Sequence, residues 1–222
     1  MSGISIALED VTVSFGGVKA LTSVTAEFMP SEIVALVGEN GSGKTTLLNA
    51  ISGIVRSTGR ISLNGIDVTE MNPWSRARLG ICRSFQKPRF FPRLAVGEDL
   101  QISSVVRRAP HSAALYFRIL STFSFLFQFV TLSAMSDRRH GTERMHELNR
   151  IEVANPTVVL LDEPFGGLMR WECVVLSARI KALAARGATI IIVEHRHDLV
   201  LPLANSVLQL SEGRVVHRGA AH

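Results

Sequence analysis

The stretch EIVALVGENGSGKTTLLNAISGI, residues 32–54, decides the fold. It opens with a short apolar run that reads as a buried strand. The run passes straight into Gly38-Glu39-Asn40-Gly41-Ser42-Gly43-Lys44-Thr45, a complete GxxxxGK[ST], and then into a helical pattern. The placement matters as much as the letters. Glycines let the backbone wrap so that several N–H groups point inward, and the N-terminus of the following helix adds its partial positive charge. Such a loop cradles phosphates, with Lys44 reaching the β- and γ-phosphates and the Thr45 hydroxyl available to Mg²⁺. The candidate nucleotide-binding residues are Gly38, Asn40, Gly41, Ser42, Gly43, Lys44, Thr45 and Thr46.

Two further apolar runs end in polar side chains suited to the same chemistry. TVVLLDEP places Asp162 at the end of a strand, where it would hold the magnesium shell. Glu163 directly after it would orient or deprotonate an attacking water. A DE pair after a strand is common, and it is the upstream phosphate loop that gives this one meaning. TIIIVEH delivers His195 at the carboxyl end of a third strand, the edge where ligands sit in open α/β sheets. An isolated histidine is more often a polar turn residue; the strand-end position marks His195 as a γ-phosphate sensor.

Outward from this core the chain alternates strands and helices, which predicts a mainly parallel sheet with helices on both faces. ISIALEDVTVSF, a Gly16–Gly17 turn and LTSVTAEF form antiparallel material at the start, and ISLNGIDV, with Asn64–Gly65, reads as a hairpin. LGICRSF is a strand followed by a Pro-punctuated loop, and helical patterns run to about Ala154. RWECVVLSARIKALAARG reads as an amphipathic helix closed by Gly187, and SVLQL with RVVHRG as a final hairpin.

The 222 residues suffice for one well-packed domain, and the 46% hydrophobic content excludes a disordered chain. The net charge of +5 suits an anionic partner without selecting one. Cys82 and Cys173 have no CxxC spacing and read as free buried thiols of a reducing compartment. The N-terminus lacks the basic-then-apolar pattern of an export signal. Residues 113–135, AALYFRILSTFSFLFQFVTLSAM, approach membrane-spanning length, but Arg118 and Gln128 interrupt them. They read as a buried or partner-facing helical lobe.

These elements, in this order, resemble the ATPase subunits of ABC transporters from about Ile4 to Gly219. Arg83-Ser84-Phe85-Gln86 resembles the family's Q-loop, in which Gln86 would touch Mg²⁺ or water and report nucleotide state to the membrane subunit. The surrounding RLGICRSFQKPRFFPRLAVGEDL is similar to importers of branched-chain amino acids and the related urea and amide importers. Phe15 stands where the family stacks an aromatic ring on adenine, VEHRHDLV resembles the switch-histidine segment, and ANPTVVLLDEPFGGL resembles the segment ending in the D-loop. The resemblance implies an α/β P-loop fold of the ABC type. Residues 1–85 and 155–222 would form the RecA-like core with its antiparallel β part, and residues 95–154 the helical subdomain. It also implies ATP and Mg²⁺ as cofactors, with Thr45, Gln86 and Asp162 at the metal, and Glu163, His195 and Gln86 as catalytic residues.

Two departures qualify the activity. Counting back from Asp162 places the LSxGQ signature at Arg138-Arg139-His140-Gly141-Thr142, where only Gly141 is retained. Met169 stands where the D-loop aspartate is expected. In the family two nucleotide domains meet head to tail, and each signature aims a serine hydroxyl and backbone N–H groups at the partner's γ-phosphate. An arginine has a different reach and geometry from that small hydroxyl. The expected partners are transmembrane permease subunits and a second nucleotide-binding domain, preferably one with an intact signature, at the cytoplasmic face of the inner membrane. The alternative is a catalytically weak or inactive nucleotide-binding subunit of an asymmetric heterodimer or of a regulatory assembly. A nucleic-acid ATPase has only the basic pI of about 9.9 behind it and lacks zinc spacing or a recognition-helix pattern.

Overall fold

The computed structural model describes residues 6–84 and 148–221. Two sheets share one core. The first is antiparallel, in the order β2-β1-β4-β5, from β1 (Ile6–Phe15), β2 (Val18–Phe28), β4 (Thr58–Leu63) and β5 (Ile66–Asp67). The second has the order β10-β9-β3-β8-β7-β6, from β3 (Ile33–Val37), β6 (Ile81–Arg83), β7 (Val158–Asp162), β8 (Thr189–Val193), β9 (Ser206–Ser211) and β10 (Arg214–Ala220). β9, β3, β8, β7 and β6 run parallel, and β10 returns antiparallel to β9. Among the described residues the helices are α1 (Lys44–Ile51), α2 (Pro73–Arg78), α3 (Arg170–Ala185) and α4 (His197–Val200), and residues 148–154 are also helical.

The period of two in the central strands divides the interior into two layers. Val34 and Leu36, Val158 and Leu160, and Ile191 and Val193 point to one side, against α1 and the antiparallel sheet. Ile33 and Ala35, Val159 and Leu161, and Ile190 and Ile192 point to the other, against Leu176, Ile180 and Leu183 of α3 and Leu148 and Ile151. Covering both faces is what allows β3, β7 and β8 to be apolar runs.

The turn chemistry agrees with the sequence reading. Gly16–Gly17, Asn64–Gly65 and Glu212–Gly213 all take positive φ at both positions, as tight hairpins with right-handed strand twist require. α1 ends in a Schellman motif: the amide of Gly53 donates to the Ala50 carbonyl and that of Ile54 to the Asn49 carbonyl, with Gly53 at φ 77°. Gly187, at φ 100°, closes α3 as expected. Cys173 is buried and Cys82 half-buried, and neither forms a disulfide.

Two expectations are modified. The LGICRSF strand is reduced to Ile81–Arg83. α3 buries Cys173, Leu176, Ile180 and Leu183, but its outer face carries Trp171, Val174 and Val175, so it is apolar on both sides rather than cleanly amphipathic. The helical lobe at 113–135, and residues 95–147 of the expected subdomain, lie outside the described residues; 148–154 are helical, as the sequence pattern predicts.

Candidate nucleotide site

β3 leaves the middle of the central sheet and turns at Gly38 (φ 148°) into the loop that α1 closes. Space, not only flexibility, demands glycine here. A Cβ on Gly38 would lie 2.2 Å from the Leu210 carbonyl oxygen, and one on Gly43 2.7 Å from that of Ala20. Gly41 has open space around its missing Cβ, and its need is conformational, at φ 81°. Gly43 is the N-cap of α1 in the left-handed region and no side chain caps the first turn, so the turn's amides face outward for an anion.

The Lys44 ammonium curls back over this loop and donates to the carbonyls of Gly38 at 2.7 Å and Glu39 at 2.8 Å. Burial lowers its pKa, against the opposing pull of the Glu163 and Asp162 carboxylates. Thr45 and Asn40 are exposed and Thr46 half-buried along the loop and first turn. The Ser42 hydroxyl oxygen is buried and has no hydrogen-bond partner among the described residues.

Asp162 ends β7, 2% exposed, and burial raises its pKa, an effect opposed by the Arg83 charge and by a hydrogen bond from the Thr45 hydroxyl. Its Oδ2 faces the Arg83 guanidinium at 3.3 Å, and both side chains are nearly solvent-free. Its Oδ1 is buried without a hydrogen-bond partner among the described residues. Arg83 also donates to Asn49 and to Ser52 of the α1 end. One cation therefore ties β6, β7 and α1 together at the site. The Asp162 amide donates to the Ser84 hydroxyl and the Ser84 amide to the Leu160 carbonyl, carrying the chain out of β6 alongside β7.

Glu163 takes φ 49°, a left-handed conformation that costs a non-glycine residue on the order of 1–3 kcal/mol. Its amide donates to the Val193 carbonyl and its own carbonyl accepts from Gly166, which hold that conformation. The result is that its Oε1 lies 3.4 Å from His195 Nε2, just past the end of the neighbouring β8. β3, β7 and β8 thus bring the phosphate loop, the acidic pair and the histidine to one sheet edge.

Of the other expected site residues, Phe15 sits 52% exposed at the tip of the β1–β2 hairpin. It pairs with Val18, two residues from Ala20, whose carbonyl touches the phosphate loop. Gln86 and the candidate signature at 138–142 lie outside the described residues. Met169 is the N-cap of α3, 53% exposed, with no side-chain cap; only the Glu172 carboxylate reaches back, to the Met169 amide at 2.8 Å.

Sequence reading missed three residues that organise this region. Arg76, 2% exposed, donates to the carbonyls of Ala50, Ile51, Thr69 and Met71, so a buried cation closes the α1 C-terminus. Gly213, in the β9–β10 turn, donates to the Ser42 carbonyl and accepts from Thr22. Glu194, beside the noted histidine, is 5% exposed and, among the described residues, accepts only backbone N–H groups. A carboxylate directly after the apolar run of β8 was the available signal for Glu194. For Arg76 and Gly213 the sequence carries none.

A family model described as ABC transporter matches residues 21–166. The high-affinity branched-chain amino acid transport ATP-binding protein LivG of Escherichia coli (strain K12) is 29% identical over 240 residues, with 99% of this chain and 92% of that protein covered. The ribose import ATP-binding protein RbsA of Bacillus subtilis (strain 168) is 28% identical over 96% of this chain, which spans 44% of that longer protein. The ADP conformation of an ATP-binding cassette of an ABC transporter superposes with a TM-score of 0.78 at 25% identity, covering 98% of this chain and 91% of the other.

Proposed function

Because the chain belongs to the ABC transporter family, we propose that it is the ATP-binding and ATP-hydrolysing subunit of a membrane importer. The observation that carries this reading is the convergence of Lys44, Asp162, Glu163 and His195 at the carboxyl ends of three adjacent parallel strands, with Glu163 and His195 3.4 Å apart. Relatives named for branched-chain amino acids and for ribose support an importer of small polar solutes, with branched-chain amino acids the leading class.

In this reading the loop from Gly38 to Thr46 binds the ATP phosphates, and Lys44 exchanges the Gly38 and Glu39 carbonyls for phosphate oxygens. Phe15 stacks on the adenine. Ser42 Oγ and Asp162 Oδ1, buried and without a hydrogen-bond partner among the described residues, suit hard, charged ligands, because a polar atom without a partner is costly to bury. Thr45, Asp162 and Gln86 would hold Mg²⁺, which when bound neutralises charge on the phosphates. Glu163 positions and polarises the attacking water, and His195 contacts the γ-phosphate. The helical subdomain that the family resemblance implies for residues 95–154 would meet the permease, and the chain works as a peripheral subunit at the cytoplasmic face of the membrane.

Met169 favours a second reading, an unequal heterodimer or a weakly active subunit, since a thioether neither caps a helix nor accepts a hydrogen bond as an aspartate does. One measurement separates the two: Mg-ATP hydrolysis by the purified chain over a range of protein concentrations, with Glu163→Gln alongside. A specific rate that climbs with concentration and is lost in the variant supports a working self-dimer. Bound ATP without turnover, unless a different nucleotide-binding domain is added, supports the unequal pair. Failure to bind ATP at all would refute the nucleotide site.

A further inference from the structure

Between the two catalytic loops lies a carboxylate with no assigned task. Glu194 precedes His195 and is 5% exposed at the end of β8. Its Oε2 accepts from the Phe165 amide at 3.1 Å, while its Oε1 accepts from the amides of His195 at 2.9 Å and Arg196 at 3.2 Å. One oxygen therefore holds the turn that follows Glu163, and the other holds the turn that carries His195. The Phe165 side chain is fully buried in the layer beneath, so the first anchor is rigid. Glu163 keeps its left-handed backbone through the Val193 and Gly166 bonds on the same turn. Burying a carboxylate is costly, and a group kept there only for packing would be apolar. Three converging N–H groups are what makes the charge tolerable, and all three belong to the segments that present Glu163 and His195.

We propose that Glu194 is a positioning residue: its carboxylate clamps the loop after Glu163 to the loop of His195, so that the two side chains move as one unit when nucleotide binds. The proposal rests on the ATPase reading for its consequence, but the clamp itself is a property of the backbone. The side chain has the reach and two-oxygen geometry for both loops. Glutamine would keep the shape but turn an N–H group towards a backbone N–H on one side. Aspartate, one methylene shorter, would hold one loop and release the other.

The test is amide hydrogen exchange on the full chain, with and without Mg-ATP, for wild type, Glu194→Gln and Glu194→Asp. In wild type the amides of Phe165, His195 and Arg196 exchange at a common rate, slower than the neighbouring loop amides. In Glu194→Gln, exchange at residues 163–168 and 194–197 rises together by about 10- to 100-fold. Exchange within α1, and the affinity for Mg-ATP, stay within about twofold of wild type, because Glu194 makes no bond to the phosphate loop. Turnover falls through kcat and not KM, and Glu194→Gln adds no further loss on a His195→Ala background. Unchanged exchange in either loop overturns the clamp. So does exchange rising equally in α1, or a kcat loss fully additive with His195→Ala, each marking a residue of general stability only. If Glu194→Gln does not fold, the common wild-type rate and the Asp variant still decide. Absence of wild-type turnover with any partner would defeat the ATPase reading while leaving the exchange result to judge the clamp.

Discussion

Lys44 and Arg76 are both buried cations that donate to backbone carbonyls, yet they serve opposite ends of α1. Lys44 lies at the end whose first-turn amides no side chain caps, and in the proposed function its bonds to Gly38 and Glu39 are exchanged for phosphate. Its depressed pKa means that the charged form carries a cost in the folded chain. The unfolded chain holds that proton more tightly, so Lys44 makes folding more favourable as pH rises through the lowered pKa towards 10.5. Removing the charge at neutral pH therefore leaves the unliganded protein folded. Lys44→Ala is expected to keep its Tm without nucleotide and to lose the stabilisation by Mg-ATP. Wild type at 100 times Kd gains about 2.7 kcal/mol, or roughly 5–10 °C. A thermal shift with and without Mg-ATP checks this, and an equal shift in both proteins would remove Lys44 from the phosphates. Arg76 has no exchange partner. Its loss takes a donor from four carbonyls, of which that of Ala50 keeps the Gly53 amide, and Arg76→Leu should cost about 3–5 kcal/mol, a fall of about 6–20 °C in Tm. A fall under 2 °C would mean that water replaces the guanidinium.

At the scale of elements, α3 is the least conventional part of the core. Its buried side holds the sheet, while Trp171, Val174 and Val175 face outward and Met169 begins it without a cap. Met169 already has the extended N-cap geometry, φ −72° and ψ 160°, so aspartate fits there without strain. Met169→Asp should stabilise the chain by about 1 kcal/mol, or roughly 2–4 °C in Tm, by accepting from the first-turn amides next to the helix dipole. If the second reading is right, the same change raises turnover of the chain alone; a stability gain without any change in turnover would place the deficit in the signature segment. α1 is built differently: its two ends are finished by glycines, Gly43 as a left-handed N-cap with no side-chain cap and Gly53 where the chain turns under Arg76.

Over the whole molecule, the phosphate loop is shaped by segments far from it in sequence. Ala20 of β2 crowds Gly43, Leu210 of β9 crowds Gly38, and Gly213 bonds both Ser42 and Thr22. A Cβ on Gly213 would lie 2.7 Å from the Ala20 carbonyl oxygen, at a φ of 74° that disfavours side chains. Gly213→Val is therefore expected to weaken Mg-ATP binding by roughly tenfold, about 1.4 kcal/mol, although it touches no phosphate; an unchanged Kd by titration would show that the loop holds its shape without the hairpin. The fold class was legible because its signals are local: an apolar run, glycines at fixed offsets and a following helix determine a phosphate loop wherever they occur. So were Asp162, Glu163 and His195, since polar residues closing apolar strands stand out in one dimension. Arg83 as counter-charge to Asp162, Arg76 beneath α1, Gly213 against Ser42 and Glu194 between two loops were not legible. Each depends on a partner dozens of residues away, and sequence order does not encode distance. The sequence alone determined which polar groups follow the apolar strands beside the phosphate-loop motif; the packing of two sheets around α1 decided which buried charges and glycines hold those groups in place, because only folding brings such partners within hydrogen-bonding reach.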